Sequence, residues 1–500
     1  MGIVIRQGSW NTLILFAGIG IGFVNEFLLL RNFLAEEQVG LIKLLIQASA
    51  LFVQFAALGG VNTVLRFFPF YRDRDREHGG FLFGMLAIGA LGLALVSAGL
   101  LLFRDAVEAR YAAQSPLFAD YLYLLFPLIA FGLTFTLVEA YAKSIFRTVA
   151  PSFIQEVGLR LAVSACVGAY LLGWLDDRGF YHAFTAVNCA TALALVAWLA
   201  SRGDLRWRPR RAFFEKAALG RLVGFGALTM LSAFSARLYT SIDSLMLGDH
   251  VGLGAVAIYL TGTYLASIIM APARSILRVA SPLVANHWKS DDMDAMARLY
   301  RQVTTNNLVL TAGTYLLVAA GAPALFTLIP AVYQPAIGVF YVLGAARIVD
   351  MGTGLNGVIL ITSRHHYMVF FSNLLTAAVA VATNAWLIPR YGIAGAAWAT
   401  FGTIVLFNGF RLGFVALAFR LWPLGWNTLG ISAATVAAFF GVRAFSAWAA
   451  AAWGPWPASL VAVPLVGALF GGLVWYTGWS PELRAMAQGL LDRLRRSTEP

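Results

Sequence analysis

The 500-residue chain is poor in charge: Asp, Glu, Lys and Arg together make up 12% of it. A soluble domain carries roughly 25%, so a water-exposed globule of this length is excluded. It is also poor in cysteine. Cys166 and Cys189 are the only two; they form no CxxC and fall in apolar runs, which makes them small core residues and excludes a disulfide framework. Lysine occurs four times and never after a glycine, so there is no GxxxxGK[ST] phosphate loop and no ATP hydrolysis at one. The adjacent His365 and His366 have no cysteine or acid at metal-ligand spacing and read as surface residues, and no metal site is expected. Asp73-Arg74-Asp75 and Asp292-Met293-Asp294 match the DxD of nucleotide-sugar enzymes, but their loops are too short to hold a nucleotide-binding domain. They read as solvated loop charge.

What the chain has in excess is apolar sequence, 60% of its residues with a mean hydropathy of +0.75. Runs of 18 or more mainly apolar residues, each long enough to cross a bilayer, begin near Trp10 and continue to about Gly478. They predict an all-α polytopic membrane protein with about fourteen spans, near 9–31, 40–69, 80–103, 119–141, 152–175, 180–201, 220–247, 252–283, 304–329, 333–361, 367–388, 393–419, 427–450 and 457–478. The first follows Arg6 but is too long for a signal h-region and lacks a small-residue cleavage pattern, so it is expected to be retained. The formal net charge of +12 does not point to nucleic acid, because Lys and Arg collect in alternate loops. That asymmetry places both termini in the cytoplasm.

The chain is written twice. Val39-Gly40-Leu41 recurs as Val251-Gly252-Leu253 and Thr63-Val64-Leu65-Arg66 as Ser275-Ile276-Leu277-Arg278, at one offset of 212 (251 − 39 and 278 − 66). Arg178-Gly179-Phe180 answers Tyr391-Gly392-Ile393 one residue further on. The repeat predicts two six-helix bundles, 1–201 and 220–420, related by a pseudo-two-fold along the membrane normal. A basic cytoplasmic linker, 202–219, joins them, and two additional helices (421–480), peripheral to the core, and an amphipathic cytoplasmic tail (481–500) follow. Within the tail, Pro481 to Arg496 reads as an interfacial helix, as does Asp291 to Val303 with Met293, Met296, Leu299 and Tyr300 on its apolar side.

Charges inside spans are costly and mark candidate sites. Arg237 and Arg274 have no acid at i±3 or i±4 and lie too deep to reach the headgroups easily, which favours a water-filled cationic cavity. Arg66 and Arg278 end the inward passage of their helices, where a snorkelling arginine is an equal reading. Arg347 and Asp350 at i and i+3 can neutralise each other, and Glu156 and Arg160 at i and i+4 read as a local pair. Glu26, beside Asn25, and Glu139 are acids at membrane depth, candidates with Asp350 for a coupling ion or for pairing with an arginine.

The two halves, the VGL entry to each second helix, the helix-ending LR, the phrase IPRYGIAGAAWAT from Ile388 to Thr400 and the two added C-terminal helices together resemble the multidrug/oligosaccharidyl-lipid/polysaccharide exporter superfamily, and within it the polysaccharide-biosynthesis branch of oligosaccharide-lipid flippases. The resemblance implies a non-enzymatic flippase in a prokaryotic cytoplasmic membrane that moves a polyprenyl-diphosphate-linked oligosaccharide by alternating access. Its implied partners are that lipid-linked oligosaccharide, the bilayer and other polysaccharide-assembly membrane proteins; it needs no cofactor beyond a coupling ion, Na+ or H+. The substrate-binding candidates are then Arg237, Arg274, Arg278, Arg66 and Arg347. The alternatives are a cation-coupled multidrug exporter, a peptidoglycan-precursor flippase and, from another class, a membrane-embedded glycosyltransferase or polymerase, against which the short outer loops argue.

The topology is testable. In a Cys-free background, a single cysteine at Ser497 should resist a membrane-impermeant thiol reagent in intact cells, whereas one at Gln114 should react; the reverse pattern would overturn the orientation.

Overall fold

The computed structural model describes residues 2–73, 77–206, 208, 216–485 and 488. Every regular element among them is helical, as a bilayer without hydrogen-bonding solvent requires of backbone that must satisfy itself. In chain order the α-helices are α1 Gly2–Phe23, α2 Leu30–Phe33, α3 Glu36–Ala56, α4 Gly60–Tyr71, α5 Phe81–Leu102, α6 Arg104–Ala112, α7 Pro116–Asp120, α8 Leu125–Ser144, α9 Val149–Phe153 and α10 Leu159–Leu171. They continue with α11 Asp177–Ser201, α12 Lys216–His250, α13 Leu253–Ile268, α14 Ala271–Ser290, α15 Met293–Leu325, α16 Ala336–Gly352, α17 Asn356–Thr362, α18 Tyr367–Phe419, α19 Trp426–Trp453 and α20 Pro455–Thr477. π-Helical turns, Val24–Leu29 and Ile154–Gly158, join α1 to α2 and α9 to α10.

Among the described residues twelve helices are long and apolar enough to cross a membrane, thirteen when α13 and α14 are taken as one passage bent by 50°. α18 has 53 residues with Gly392 at φ 54°, ψ −128° inside it. A continuous helix of that length would run about 80 Å against a hydrocarbon core of about 30 Å, so α18 is two passages joined at the glycine, and the total comes to fourteen.

Three spans expected to be continuous are broken. Span 333–361 stops at Gly352 and resumes at Asn356, with Gly354 at φ 69° between them. Span 40–69 stops at Ala56 and resumes at Gly60, because Leu58 (φ 47°) and Gly59 (φ 76°) turn into the left-handed region. Span 252–283 breaks between α13 and α14. The repeat offset carries Leu58 and Gly59 onto Met270 and Ala271, where α13 gives way to α14, so the break itself is duplicated.

One more expectation fails. Asp291 to Val303 is not a separate interfacial helix, since α15 runs unbroken from Met293 to Leu325. The face assigned to lipid is taken by protein: Met296 and Tyr300 are fully buried with Ala280 and Val284 of α14, Ile359 of α17 and Val415 of α18. Asp292 caps α15 by accepting the Ala295 amide at 2.9 Å, a structural role for half of that DxD. The expected interfacial tail, Pro481 to Arg496, falls largely outside the described residues.

Contacts divide the chain into two compact units, 1–257 and 258–500, with the boundary inside α13. In the first, Phe68, Phe81 and Tyr141 stack edge to face in a core shared by α4, α5, α8 and α11. Tyr141 donates to the Asp204 carbonyl at 2.8 Å, and the Asp204 carboxylate pairs with Arg147 at 2.9 Å. α12 packs along α3 and α4 of this unit. In the second, α19 and α20 pack on each other and on α15. Both cysteines are buried and free, as expected.

Close packing at the α4–α12 crossing depends on glycine. A Cβ on Gly59 would stand 2.0 Å from the Gly226 carbonyl oxygen, at a φ that side chains resist, whereas one on Gly20 meets nothing within 4 Å. Gly59→Ala should therefore lower stability in detergent by about 2–4 kcal/mol, and Gly20→Ala should raise it by about 0.5 kcal/mol. Thermal unfolding of the purified variants checks both.

Candidate functional site

The first unit concentrates charge where α1 and α10 meet. Each helix carries a π turn there, a local widening of the kind common at functional positions. Asn25 donates to the Arg160 carbonyl at 2.6 Å and accepts from Ser164 at 2.5 Å, which ties the first turn to α10. The Arg160 guanidinium lies against Gly18 and Gly22, where a Cβ would come within 3.0 and 2.8 Å of its Nη1. It donates to the Gly18 carbonyl and pairs with Glu156 at 3.0 Å, the expected i,i+4 pair. One turn further, Glu26 binds Lys43 of α3 and lies 3.7 Å from the buried Arg31. The cluster holds two acids, Glu26 and Glu156, and three bases, Arg31, Lys43 and Arg160.

Beside it, α3, α8, the second π turn, α11 and α12 enclose a cavity of about 280 Å³. Its polar members are Ser49, Gln54, Thr136, Gln155, Asn188, Thr191 and Arg237. Arg237 is held by a neutral group: its Nη2 donates to Gln47 Oε1 at 2.8 Å. Its Nε is buried and makes no hydrogen bond. A guanidinium oriented by an amide, with a donor to spare, can receive an anion without first breaking an ion pair.

The remaining predicted residues do not converge on that cavity within their units. Arg66 lies exposed on α4 with its guanidinium 4.4 Å from the Phe225 ring. Phe225 precedes Arg237 by twelve residues, about 18 Å of helix rise, so the two arginines serve different levels of the bundle. Glu139 is neutralised by Lys143 at 2.9 Å near the end of α8.

In the second unit Arg274 and Arg278 are exposed on successive turns of α14, and Arg274 reaches the Met270 sulfur at 3.8 Å. Arg347 and Asp350 form no ion pair among the described residues. Asp350 instead accepts from Asn408 at 3.0 Å, while Asn408 accepts from Thr353 at 2.8 Å and from Asn356 at 3.3 Å; the Arg347 Nε is buried without a hydrogen bond. His365 is half-buried, its ring against Phe414 and Phe419, which corrects the surface reading. No group of three metal-ligating side chains occurs among the described residues.

Sequence reasoning passed over Lys43, Arg31 and Arg411. Arg411 of α18 is held by Ser372 and Asn373, each at 3.1 Å, and lies 3.9 Å from the Phe407 ring. The signal was present, since Lys43 and Arg411 lie inside apolar spans, as Arg237 does. Gln47, which orients Arg237, carries no sequence signal of its own.

Fourteen passages in two compact units, a duplicated broken helix and charge held within the apolar passages define a polytopic membrane protein. Residues 4–288 match the polysaccharide biosynthesis protein family, and the chain belongs to it. The chain's fold is shared with solved structures of low sequence identity. It is similar to the lipid II flippase MurJ in an inward closed conformation, at 10% identity and a TM-score of 0.72 over 93% of this chain and 99% of that one. It is also similar to an inward-facing multidrug resistance MATE family transporter, at 12% identity and a TM-score of 0.62 over 83% and 98%. For the Vibrio cholerae MATE transporter VcmN the figures are 14% and 0.55 over 84% and 98%. At these identities the likeness establishes the fold. No curated protein sequence matches the chain.

If Glu26 and Lys43 stabilise each other, Glu26→Gln and Lys43→Gln should each lower the melting temperature, and the double variant should lose less than the sum. The coupling should be about 1–2 kcal/mol, below that of a fully buried pair because both side chains are partly exposed. Additive losses would show that the pair contributes nothing.

Proposed function

We propose that the protein is a flippase for a polyprenyl-diphosphate-linked oligosaccharide, working by alternating access in the cytoplasmic membrane. The observation that carries this reading is Arg237, inside a membrane passage, on a polar cavity, held by Gln47 and by no carboxylate partner within ion-pair distance among the described residues. Membership of the polysaccharide biosynthesis family is consistent with a saccharide-bearing substrate. A diphosphate suits the site, because a guanidinium stays charged when partly desolvated and donates to phosphate oxygens in pairs. The lipid tail stays in the bilayer while the sugar head group crosses with the diphosphate.

A cation-coupled multidrug exporter would need acids free to meet a cationic drug. Here Glu26, Glu139 and Glu156 are each engaged by Lys or Arg. Asp350, whose carboxylate is held by Asn408 alone among the hydrogen-bonding side chains of the described residues, is the acid we assign to a coupling ion, Na+ or H+.

Arg237→Ala should nearly abolish complementation of a polysaccharide-export mutant at normal expression and unchanged membrane level. Arg237→Lys should restore only part, for want of the forked donor. Asp350→Asn should remove the dependence of transport on the ion gradient. Because a peptidoglycan precursor carries the same diphosphate, the wild-type gene is also placed in a peptidoglycan-flippase mutant, and rescue there alone would reassign the substrate. Wild-type export by Arg237→Ala would end the cationic-site reading.

A further inference from the structure

A second cavity, of about 330 Å³, lies in the second unit between α15 and α20. Its walls are apolar, Val309 and Leu317 on one side and Val466 and Phe470 on the other, and Gly467 and Gly471 keep it open. A Cβ on Gly471 would meet nothing within 4 Å. From Val309 to Leu317 the slot follows α15 for about 12 Å, close to the depth of one leaflet of a bilayer whose hydrocarbon core is about 30 Å thick.

One end is built differently. Past α20 the chain is fastened to α15 twice, by Ser480 donating to Asn306 at 2.5 Å and by Gln302 donating to Glu482 at 2.7 Å. That fastening brings Arg484 into the lining, its guanidinium 5.1 Å from the Trp475 ring, which also lines the slot. Arg484 is exposed, and no carboxylate among the described residues lies within ion-pair distance of it. An apolar slot one leaflet deep, ending at a tryptophan and a cation, has the polarity profile of a single phospholipid.

We propose that the slot binds one acyl chain of an anionic phospholipid whose phosphodiester rests on Arg484. A phosphodiester carries one negative charge and the mouth offers one guanidinium, whereas a diphosphate would call for more. This lipid is a resident of the second unit, separate from the transported one, and its site stands whether or not the substrate assignment above holds.

The test counts lipid retained on the full chain by mass spectrometry of the intact protein in detergent, after equilibration with phosphatidylglycerol or phosphatidylcholine of identical acyl chains. The wild type should retain phosphatidylglycerol about fivefold better, the value of one basic side chain at a lipid surface. Arg484→Gln, an exposed change that leaves the fold intact, should level the two lipids. Gly471→Leu should reduce both by filling the slot, with folding checked by size-exclusion chromatography. Arg390→Gln removes a guanidinium similarly placed 5.2 Å from the Trp386 ring and should keep the preference. Equal retention by the wild type, or a preference that survives Arg484→Gln, would overturn the proposal. So would displacement of phosphatidylglycerol by an equal concentration of polyprenyl diphosphate, which would assign the slot to the transported lipid.

Discussion

Inside a bilayer no solvent satisfies a polar group, and this constraint shapes the chain at each level. At the backbone it leaves only helices, interrupted where another element can cover the break. At the side chains it sorts charges by the partner that each can reach. Glu26 lies between Lys43 and Arg31, Arg160 is closed between Glu156 and the Gly18 carbonyl, and Asp350 is held by Asn408. Arg237, held by an amide, departs from this pattern of ionic closure.

Glycine makes the first kind of economy possible. Gly40 lets the start of α13 approach α3 so closely that a Cβ would stand 2.0 Å from the Leu253 carbonyl oxygen, and Gly59 does the same for α4 against α12. The second approach brings α12 against the break, where the helix stops at Ala56 and restarts at Gly60. The duplicated break moves Arg66 and Arg278 onto short helices of their own, α4 and α14, where both are exposed.

The passages and the repeat were legible in the sequence because hydropathy is a sum over some twenty residues and survives local irregularity. The same summation hid the breaks, since Leu58 and Met270 are apolar whether helical or not. The Glu156–Arg160 pair was legible because four residues on one helix fix a distance. The Arg347–Asp350 pair followed the same logic and is not formed, because Asn408, distant in sequence, competes for the carboxylate. The continuity of α15 was illegible for a related reason. An amphipathic face reads the same whether lipid or protein covers it, and here α14, α17 and α18 cover Met296 and Tyr300.

Arg160 and Arg237 show how little residue type settles by itself. Both are arginines in apolar passages of one unit, but the first has a carboxylate four residues away and a carbonyl in a glycine notch, and its charge is cancelled where it stands. The second is aimed by Gln47, which fixes its orientation without forming an ion pair. Removing Glu156 would leave Arg160 a carbonyl partner and an uncompensated charge. Removing Gln47 would leave Arg237 as charged as before but no longer positioned. The cavity beside Arg237 is therefore a candidate site because its cation is held in place by an amide, with no carboxylate at ion-pair distance among the described residues, a condition met by long-range packing of α3 on α12 and written in no short stretch of sequence.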